Sequence, residues 1–223
     1  GEQNGFEESA AFAALLKYQR QNGKDESKMD FTKIADTFRK EGFCVTCFET
    51  KEQAADYLAE KFSGEVIGIG GSVTVGQLNV YDRLCERNTV WWHQEKPESR
   101  YKYGEFTAYL TSANAVAESG EIVNIDGSGN RLSASLFGPK KVVFVCGKNK
   151  IAPDLASAIS RARSVAAPPN AKRLNKKTPC AVMGRCVDCN SPERICRAMV
   201  IHMRPMSSCE ETELIFVNED LGY

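Results

Sequence analysis

Short apolar runs alternate with helical apolar patterns along most of the chain. Residues 65–69 and the run that ends at Cys146 are continuous apolar stretches of strand length, which is typical of strands buried on both faces. Upstream, Ile34, Ala35 and Phe38 recur at steps of three and four residues, as on the buried face of a helix. The alternation from residue 43 to residue 163 predicts an α/β fold, in which a Rossmann-like, mostly parallel sheet lies between two layers of helices.

The N-terminal residues follow a different pattern from the rest of the chain. Residues 6–20 carry a mixed helical pattern that ends in a polar stretch, which predicts a peripheral helix. We therefore assign residues 1–29 to an N-terminal helical extension and residues 30–223 to one principal domain.

The last third of the chain predicts one more helix and two strands. Pro153 and Asp154 begin the helix, and residues 165–170, with their two prolines, are expected to end it. Residues 198–203 and 212–218 are apolar enough for strands, and a polar turn between them predicts that they pair with each other.

Composition and charge exclude several classes of protein. The 223 residues include 29 Lys and Arg and 29 Asp and Glu, so no broad positive field indicates a nucleic-acid partner or an anionic membrane. No run approaches the roughly 18 apolar residues of a membrane span, and the N-terminal residues lack a signal-peptide pattern. We expect a cytoplasmic protein with neither nucleic acid nor membrane as a partner. Cys44 and Cys47 are interpreted as core residues, since their spacing places them on opposite faces of a strand.

Residues 111–150 have the layout of a ligand site. Ser119 and Gly120 lie between two apolar runs and predict a hairpin turn. In the second strand of the hairpin, Asn124 and Asp126 share one face because side chains alternate along a strand. A glycine-rich loop follows, whose free backbone amides suit an anionic or hydroxylated ligand; its candidate residues are Gly127, Gly129 and Asn130. The alternative is a solvated turn in which Asp126 caps the next helix.

A second glycine loop follows the apolar run at residues 65–69. Gly70 and Gly71 would let a ligand approach the backbone, and Ser72 precedes a helix whose first amides favour an anion. The spacing of these glycines matches neither the dinucleotide fingerprint nor the phosphate loop of nucleotide hydrolases. A ligand contact and a purely structural turn are both compatible with this loop.

Four cysteines are concentrated in residues 178–197. Cys186 and Cys189 have the spacing at which a turn directs two thiolates at one ion, and Cys180 and Cys196 would complete a four-thiolate site. Both zinc and an iron-sulfur cluster are chemically admissible, although the spacing differs from the ferredoxin patterns. A reversible disulfide and buried free thiols are the alternatives.

Several separated motifs, in order, resemble the LUD domain, the lactate-utilisation family that includes lactate utilisation protein C. The likeness covers about residues 30–223 and rests on Gly70-Gly71-Ser72, on residues 112–117, 120–127, 129–131 and 137–140, and on residues 170–174. It implies a fold similar to the superfamily of sugar-phosphate isomerases and CoA transferases, with a ligand cleft at the strand ends. It also implies that Gly70, Gly71 and Ser72 correspond to a phosphate-binding loop.

The resemblance leaves two functions open. The first is a non-redox partner subunit in the oxidation of lactate to pyruvate, which binds a small anionic metabolite and associates with iron-sulfur oxidoreductase subunits; a homo-oligomer is compatible with it. The second is a stand-alone isomerase or acyl-transferase, with Glu118, Glu121 or Asp126 as base or nucleophile. Asn114 stands where such isomerases often place an aspartate, which favours the first function.

Overall fold

The computed structural model describes residues 10–22, 28–92, 94–96, 102 and 104–223. The helices in this part of the chain are α1 (Ala10–Asn22), α2 (Thr32–Lys40), α3 (Lys51–Lys61), α4 (Val73–Gln77), α5 (Tyr81–Cys85), α6 (Asn130–Leu136), α7 (Leu155–Arg161), α8 (Ala167–Arg173) and α9 (Pro179–Met183). The strands are β1 (Cys44–Phe48), β2 (Val66–Ile69), β3 (Thr89–Trp92), β4 (Ala108–Ser112), β5 (Ala115–Ala117), β6 (Ile122–Asp126), β7 (Lys141–Gly147), β8 (Ile151–Ala152), β9 (Ala198–His202) and β10 (Glu211–Val217).

The larger sheet forms the centre of the domain. Its order in the described residues is β1-β10-β7-β4-β2-β3, and every neighbouring pair is parallel. Val143 and Val145 pack with Leu58 of α3 on one face, whereas Phe144 packs with Phe38 of α2 on the other. Both faces are therefore covered by helices, and the predicted α/β class with a mostly parallel sheet is confirmed.

A smaller sheet, in the order β8-β5-β6-β9, lies beside the first and carries the predicted hairpin. The strands β5 and β6 pair antiparallel, and Gly120 in their turn has a φ of +109°, which glycine adopts without strain. The helices α1 and α7 cover this sheet, with Leu15 buried against Ala115 and Ala158. The N-terminal helix is thus packed against the domain through its apolar residues.

The predicted pairing of the last two strands is wrong. Strand β9 pairs antiparallel with β6 in the smaller sheet, while β10 lies between β1 and β7 in the larger one. The physical reason is burial: residues 212–217 are buried throughout, which requires a central position in a sheet covered on both faces.

Two further expectations are also wrong. The helix does not end at residues 165–170, because α7 continues through a π-helical turn (Ala162–Ala166) into α8. Pro168 and Pro169 occupy the first turn of α8, where their missing N–H groups are tolerated. Cys44 and Cys47 are exposed rather than buried, because β1 is an edge strand.

Side chains cap the starts of these helices. Thr50 and Gln53 form a capping box at the start of α3, and the predicted helix start at Asp154 is present, where its side chain accepts a hydrogen bond from the Ser157 amide. No helix in the described residues is long and apolar enough to span a bilayer. His93, interpreted from the sequence as a surface or hydrogen-bonded histidine, lies outside the described residues.

Candidate functional site

The carboxyl ends of the parallel strands face a cleft of about 670 Å³. The loop after β2 contributes Gly71, the chain after β4 contributes Asn114, and the loop after β6 contributes Gly127, Ser128 and Asn130. In open α/β sheets ligands bind at this edge, because loops from several strands converge there. The structure therefore brings residues of both predicted glycine loops to one cleft.

Asp126 organises the loop after β6. One carboxylate oxygen accepts hydrogen bonds from the amides of Ser128 (2.8 Å) and Gly129 (3.1 Å), and the other accepts from Arg131 Nε at 2.7 Å. Gly129 has a φ of +82° and precedes α6, so its glycine is required by the backbone rather than by a ligand. Asp126 is 5% exposed, and its carboxylate already binds three donors.

The side chains of Asn114 and Asn124 connect the chain after β4 to β6 through two hydrogen bonds. The Asn124 side-chain oxygen accepts from the Asn114 amide at 3.1 Å, and the Asn114 side-chain oxygen accepts from the Ile125 amide at 2.7 Å. Asn114 lines the cleft, whereas Asn124 is buried and does not. The pair fixes the position of β6 relative to the end of β4.

The Gly70-Gly71-Ser72 loop lies against the core of the larger sheet. A Cβ atom at Gly70 would lie 2.5 Å from the Tyr109 hydroxyl oxygen, so a larger residue cannot be accommodated without a shift. Ser72 caps α4 by accepting from the Val75 amide at 3.2 Å, and it lines a second, more open cavity of about 680 Å³. Arg173 lines both cavities.

Cations outnumber carboxylates around the main cleft. Two of its lining residues are acidic, Asp126 and Glu193, whereas five are basic: Arg131, Arg173, Lys176, Arg194 and Arg197. Arg131 is paired with Asp126, and Arg194 lies 3.2 Å from Asp188. The other three form no ion pair with a carboxylate among the described residues. The chain is neutral overall, so this positive charge is a local property of the cleft.

Two buried cations beneath the cleft were not identified from the sequence. Lys150, 4% exposed, donates to Thr74 Oγ1 (2.7 Å), Ser112 Oγ (2.8 Å) and the Ala113 carbonyl (3.0 Å). Arg161, 1% exposed, donates to the carbonyls of Asn149, Asn114 and Tyr223. The residues around Lys150 and Arg161 in the sequence do not indicate that either side chain is buried. The polar end of a buried strand was the sequence signal that pointed to this region.

Burial governs the protonation of both groups. It lowers the pKa of Lys150 to about 7 and that of Arg161 to about 10, since a charged group is less stable away from water. Charge attraction from Cys146 in its thiolate form opposes both shifts, and Asp220 also favours the charged guanidinium. Lys150 is therefore the group beneath the cleft that changes charge near neutral pH.

The chain after β10 covers these cations. The Leu221 carbonyl accepts from Thr74 Oγ1 at 3.3 Å, and the Leu221 amide donates to Asn149 Oδ1 at 3.1 Å. A Cβ atom at Gly222 would lie 3.3 Å from Lys150 Nζ, so the backbone of this segment lies directly over the amine. Residues 221–223 thus separate Lys150 from the solvent.

The cysteine segment forms one wall of the cleft. A Cβ atom at Gly127 would lie 3.1 Å from the Ile195 carbonyl oxygen, and the Arg197 amide donates to the Asp126 carbonyl at 3.0 Å. Residues 184–197 contain no helix or strand. Arg194 holds their shape by donating to the carbonyls of Cys189 and Cys196, each at 2.8 Å.

The four clustered thiols surround one small cavity of about 20 Å³, lined by Cys180, Cys186, Cys189 and Cys196. Burial raises the pKa of Cys196, and the neighbouring Cys186 raises it further, while Arg194 opposes this. As they stand, no three His, Cys, Asp or Glu side chains of the described residues are arranged to hold a metal ion. The metal assignment stays a prediction.

Glu118 and Glu121 lie on the hairpin turn and do not line the cleft. Glu118 accepts a hydrogen bond from the Tyr18 hydroxyl at 2.8 Å, which joins α1 to the hairpin. Glu121 accepts from the Ser119 hydroxyl in the same turn. Of the three predicted catalytic carboxylates, the structure brings Asp126 alone to the cleft.

Comparison with known proteins agrees with this architecture. A sequence model of the LUD domain matches residues 31–217. Among solved structures, the crystal structure of a DUF162 family protein from Deinococcus radiodurans is similar, with a TM-score of 0.50 and 14% sequence identity. The alignment covers 83% of this chain and 94% of that chain, and at such low identity it shows the fold alone. No curated protein matches the chain.

Proposed function

The chain belongs to the LUD domain family, and on that premise we propose that it binds a small anionic metabolite as a non-redox subunit in the oxidation of lactate to pyruvate. The cleft at the carboxyl end of the sheet is the binding site. Oxidation of lactate releases two electrons, which the proposal assigns to separate iron-sulfur subunits. This chain supplies the binding surface for the organic anion.

The observation that carries the proposal is the local positive charge of the cleft. Arg173, Lys176 and Arg197 line it without a carboxylate partner among the described residues. Cationic side chains and free amides are the groups that bind carboxylates most strongly, because their hydrogen bonds to an ionised acceptor are charge-assisted. Gly71, Gly127, Ser128 and Asn130 line the same space, and lactate and pyruvate are small enough to fit it. The Ser128 and Gly129 amides already donate to Asp126, so the side-chain cations carry most of the recognition.

Binding can be tested by isothermal titration calorimetry of the full chain with pyruvate and with L-lactate. We expect heat of binding with both, and none with a neutral analogue such as acetone, because the carboxylate is the recognised group. Arg204→Met is the control variant and should bind both acids as the unmodified protein does. Arg204 is exposed, pairs with Glu41 and does not line the cleft. Absence of binding by either acid would remove the proposed ligand class.

The assignment to lactate oxidation needs a test in cells. Deletion of the gene should impair growth on lactate, and the protein should copurify with iron-sulfur oxidoreductase subunits. Normal growth on lactate after deletion would contradict the role even if the cleft binds pyruvate.

The alternative function is a stand-alone isomerase or acyl-transferase with Asp126 as base or nucleophile. Its location in the cleft favours this role, but both oxygens of its carboxylate are already bound by two amides and Arg131. Screening the purified protein against sugar phosphates and acyl-CoA thioesters decides between the functions. Turnover that Asp126→Asn abolishes would establish the enzyme, whereas the binding function predicts no turnover and retained anion binding in that variant.

We further propose that the cysteine segment binds zinc or an iron-sulfur cluster beside the cleft. Four thiols around one cavity support this, and Cys196 lines both that cavity and the cleft. A segment without regular structure can close around an ion, because metal binding and folding are coupled at such sites. Anaerobically purified protein should contain stoichiometric zinc or iron, which Cys189→Ser should remove and Cys209→Ser should not. Metal-free protein would leave these cysteines as free thiols.

A further inference from the structure

Three cations lie close together beneath the Gly70-Gly71-Ser72 loop. Arg131 and Arg161 are both near enough to Lys150 to lower its pKa by charge repulsion. Arg131 is neutralised by Asp126. Lys150, in contrast, donates to hydroxyl and carbonyl oxygens, which carry no charge, and Arg161 donates to the carbonyls of Asn149 and Asn114 and to the backbone oxygen of Tyr223.

This arrangement is unusual for buried charges. Buried cations are normally paired with a carboxylate or bound to a ligand, because an isolated charge is costly to remove from water. Among the described residues, Asp220 is close enough to affect Arg161, and no carboxylate acts on Lys150. The positive charge beneath the cleft is therefore only partly compensated within the described chain.

The buried cations are connected to the cleft through its own lining. The Arg161 guanidinium donates to the carbonyl of Asn114, and Lys150 donates to the carbonyl of the residue before it, Ala113. Asn114 lines the main cleft and Ser72, two residues before Thr74, lines the neighbouring cavity. The Arg161 guanidinium is thus one hydrogen bond away from the cleft lining, and Lys150 is bound to the residue beside it.

What covers the amine is backbone. The backbone at Gly222 lies over Lys150 Nζ, the Leu221 carbonyl accepts from Thr74, and the backbone oxygen of Tyr223 accepts from Arg161 at 3.2 Å. Carbonyl oxygens are the neutral counterpart of a carboxylate or phosphate oxygen, since they accept the same hydrogen bonds with a weaker charge. Residues 221–223 therefore occupy acceptor positions that an anion would fill more strongly.

We propose that Lys150 and Arg161 form an inner subsite for the carboxylate or phosphate group of the ligand, which binds there when residues 222–223 move away from the amine. The inference rests on the proposed anion-binding function of the cleft and adds the group that recognises the anion. The proton on Lys150 then becomes part of the binding equilibrium.

The sign of the proton effect follows from the surroundings of Lys150. Burial and the cations Arg161 and Arg131 lower its pKa to about 7, and Cys146 on β7 acts against them. A bound anion raises this pKa because it stabilises the ammonium form. Near pH 8 the amine is mostly neutral in the free protein and charged in the complex, so binding takes up about 0.5 to 1 proton per anion.

Calorimetric titrations in buffers of different ionisation enthalpy measure this uptake directly. Pyruvate and L-lactate test the carboxylate, and sulfate tests a tetrahedral anion without titrating itself. We expect net proton uptake at pH 8 and an affinity that falls by up to about tenfold per pH unit above pH 7. Whichever class of anion shows the uptake identifies the ligand group.

Matched variants separate the subsite from general charge effects. Lys150→Met should abolish the proton uptake and lower the affinity at pH 7 by more than tenfold, whereas Lys148→Met in the same turn should keep the uptake. Lys150→Gln, which retains a hydrogen-bond donor, replaces the methionine variant if that one does not fold. The pH dependence of the unmodified protein needs no variant at all.

The outcomes distinguish this inference from the proposed function. Anion binding without proton uptake, with an affinity independent of pH from about 6.5 to about 9, would overturn the inner subsite and leave the cleft as an anion site. No binding of pyruvate, L-lactate or sulfate would overturn both.

Discussion

The two ends of the larger sheet differ in the partners of their buried cations. At the amino ends of the strands, Lys61 is paired with Glu211 and Glu213, and Lys141 lies 2.6 Å from Glu65. At the carboxyl ends, Lys150 and Arg161 have mainly neutral partners. Lys141 begins β7 and Lys150 lies just after its end, so a single strand connects the two arrangements.

The comparison separates a structural role from a functional one. Buried charges that are paired with opposite charges fix the elements that carry them, as Glu213 does by accepting from Tyr57 at 2.9 Å and binding Lys61 at 3.1 Å. Buried charges without an opposite charge are tolerated where a ligand supplies it. The amino end should therefore control stability, and the carboxyl end should control anion binding.

Glu213→Gln should produce the largest effect, at the amino end. Glu213 is 1% exposed, and the substitution keeps its shape but removes the charge that faces Lys61. We expect the free energy of unfolding to fall by about 3 kcal/mol, because breaking a buried ion pair leaves a charge poorly compensated. Denaturant titration at pH 7 measures it, with the exposed Glu210→Gln as control. A loss below about 1 kcal/mol would mean that the amino-end network is not structural.

Lys150→Met should change the pH dependence of stability at the carboxyl end. A buried lysine with a pKa of about 7 binds fewer protons in the folded than in the unfolded state between pH 7 and pH 10. Stability of the unmodified protein should therefore rise with pH in this window by up to about 1.4 kcal/mol per unit relative to the variant. Below about pH 7 the difference should be constant. Parallel curves from pH 6 to pH 10 would show that Lys150 stays in one protonation state.

Two variants at accessible residues, Lys141→Met at the amino end and Arg173→Met at the cleft, should give the smallest changes in stability and in pyruvate affinity. Lys141→Met removes the partner of Glu65 and should lower the free energy of unfolding by about 0.5 to 1 kcal/mol, because partly exposed ion pairs are screened by solvent. Its pyruvate affinity should be unchanged. Lys141 and its neighbour Thr107 lower the pKa of Glu65, so this stabilisation should be lost as the pH falls through that lowered pKa.

Arg173→Met should do the reverse at the cleft. We expect pyruvate affinity to fall about fivefold, since one exposed charge-assisted contact is lost, with stability unchanged within about 0.5 kcal/mol. Calorimetry and denaturant titration of the same two proteins test the pair. If both variants changed both quantities alike, the division of the sheet into a structural and a binding end would fail.

Local signals in the sequence predicted local features of the structure. The cap at Asp154 and the turn at Gly120 each depend on residues a few positions apart, and both are present. The alternation of strands and helices predicted the sheet because a strand buried on both faces must be apolar throughout. No local signal pairs the two glycine loops, because the first follows β2 of the parallel sheet whereas the second follows β6, which has antiparallel neighbours in the smaller sheet.

The features that sequence missed depend on distant segments. Lys150 follows a strand within a polar triplet, and it becomes buried because residues 221–223 fold over it. Arg161 was predicted on a helix that ends shortly afterwards, whereas a π-helical turn carries the chain on into α8. Strand β9 pairs with β6 rather than with β10, because β10 is apolar enough for a central position in the larger sheet. Neither the burial of Lys150, nor the continuation of the helix after Arg161, nor the pairing of β9 can be predicted from the few residues around each of them.

A crystal structure of the full chain grown with pyruvate would show whether the carboxyl end of the sheet is an anion site. We expect pyruvate density between Gly71 and the Gly127–Asn130 loop, with the carboxylate within about 3 Å of backbone amides or of Lys150. An empty cleft at saturating pyruvate, or pyruvate bound only at the amino end of the sheet, would show that the carboxyl end does not bind the anion.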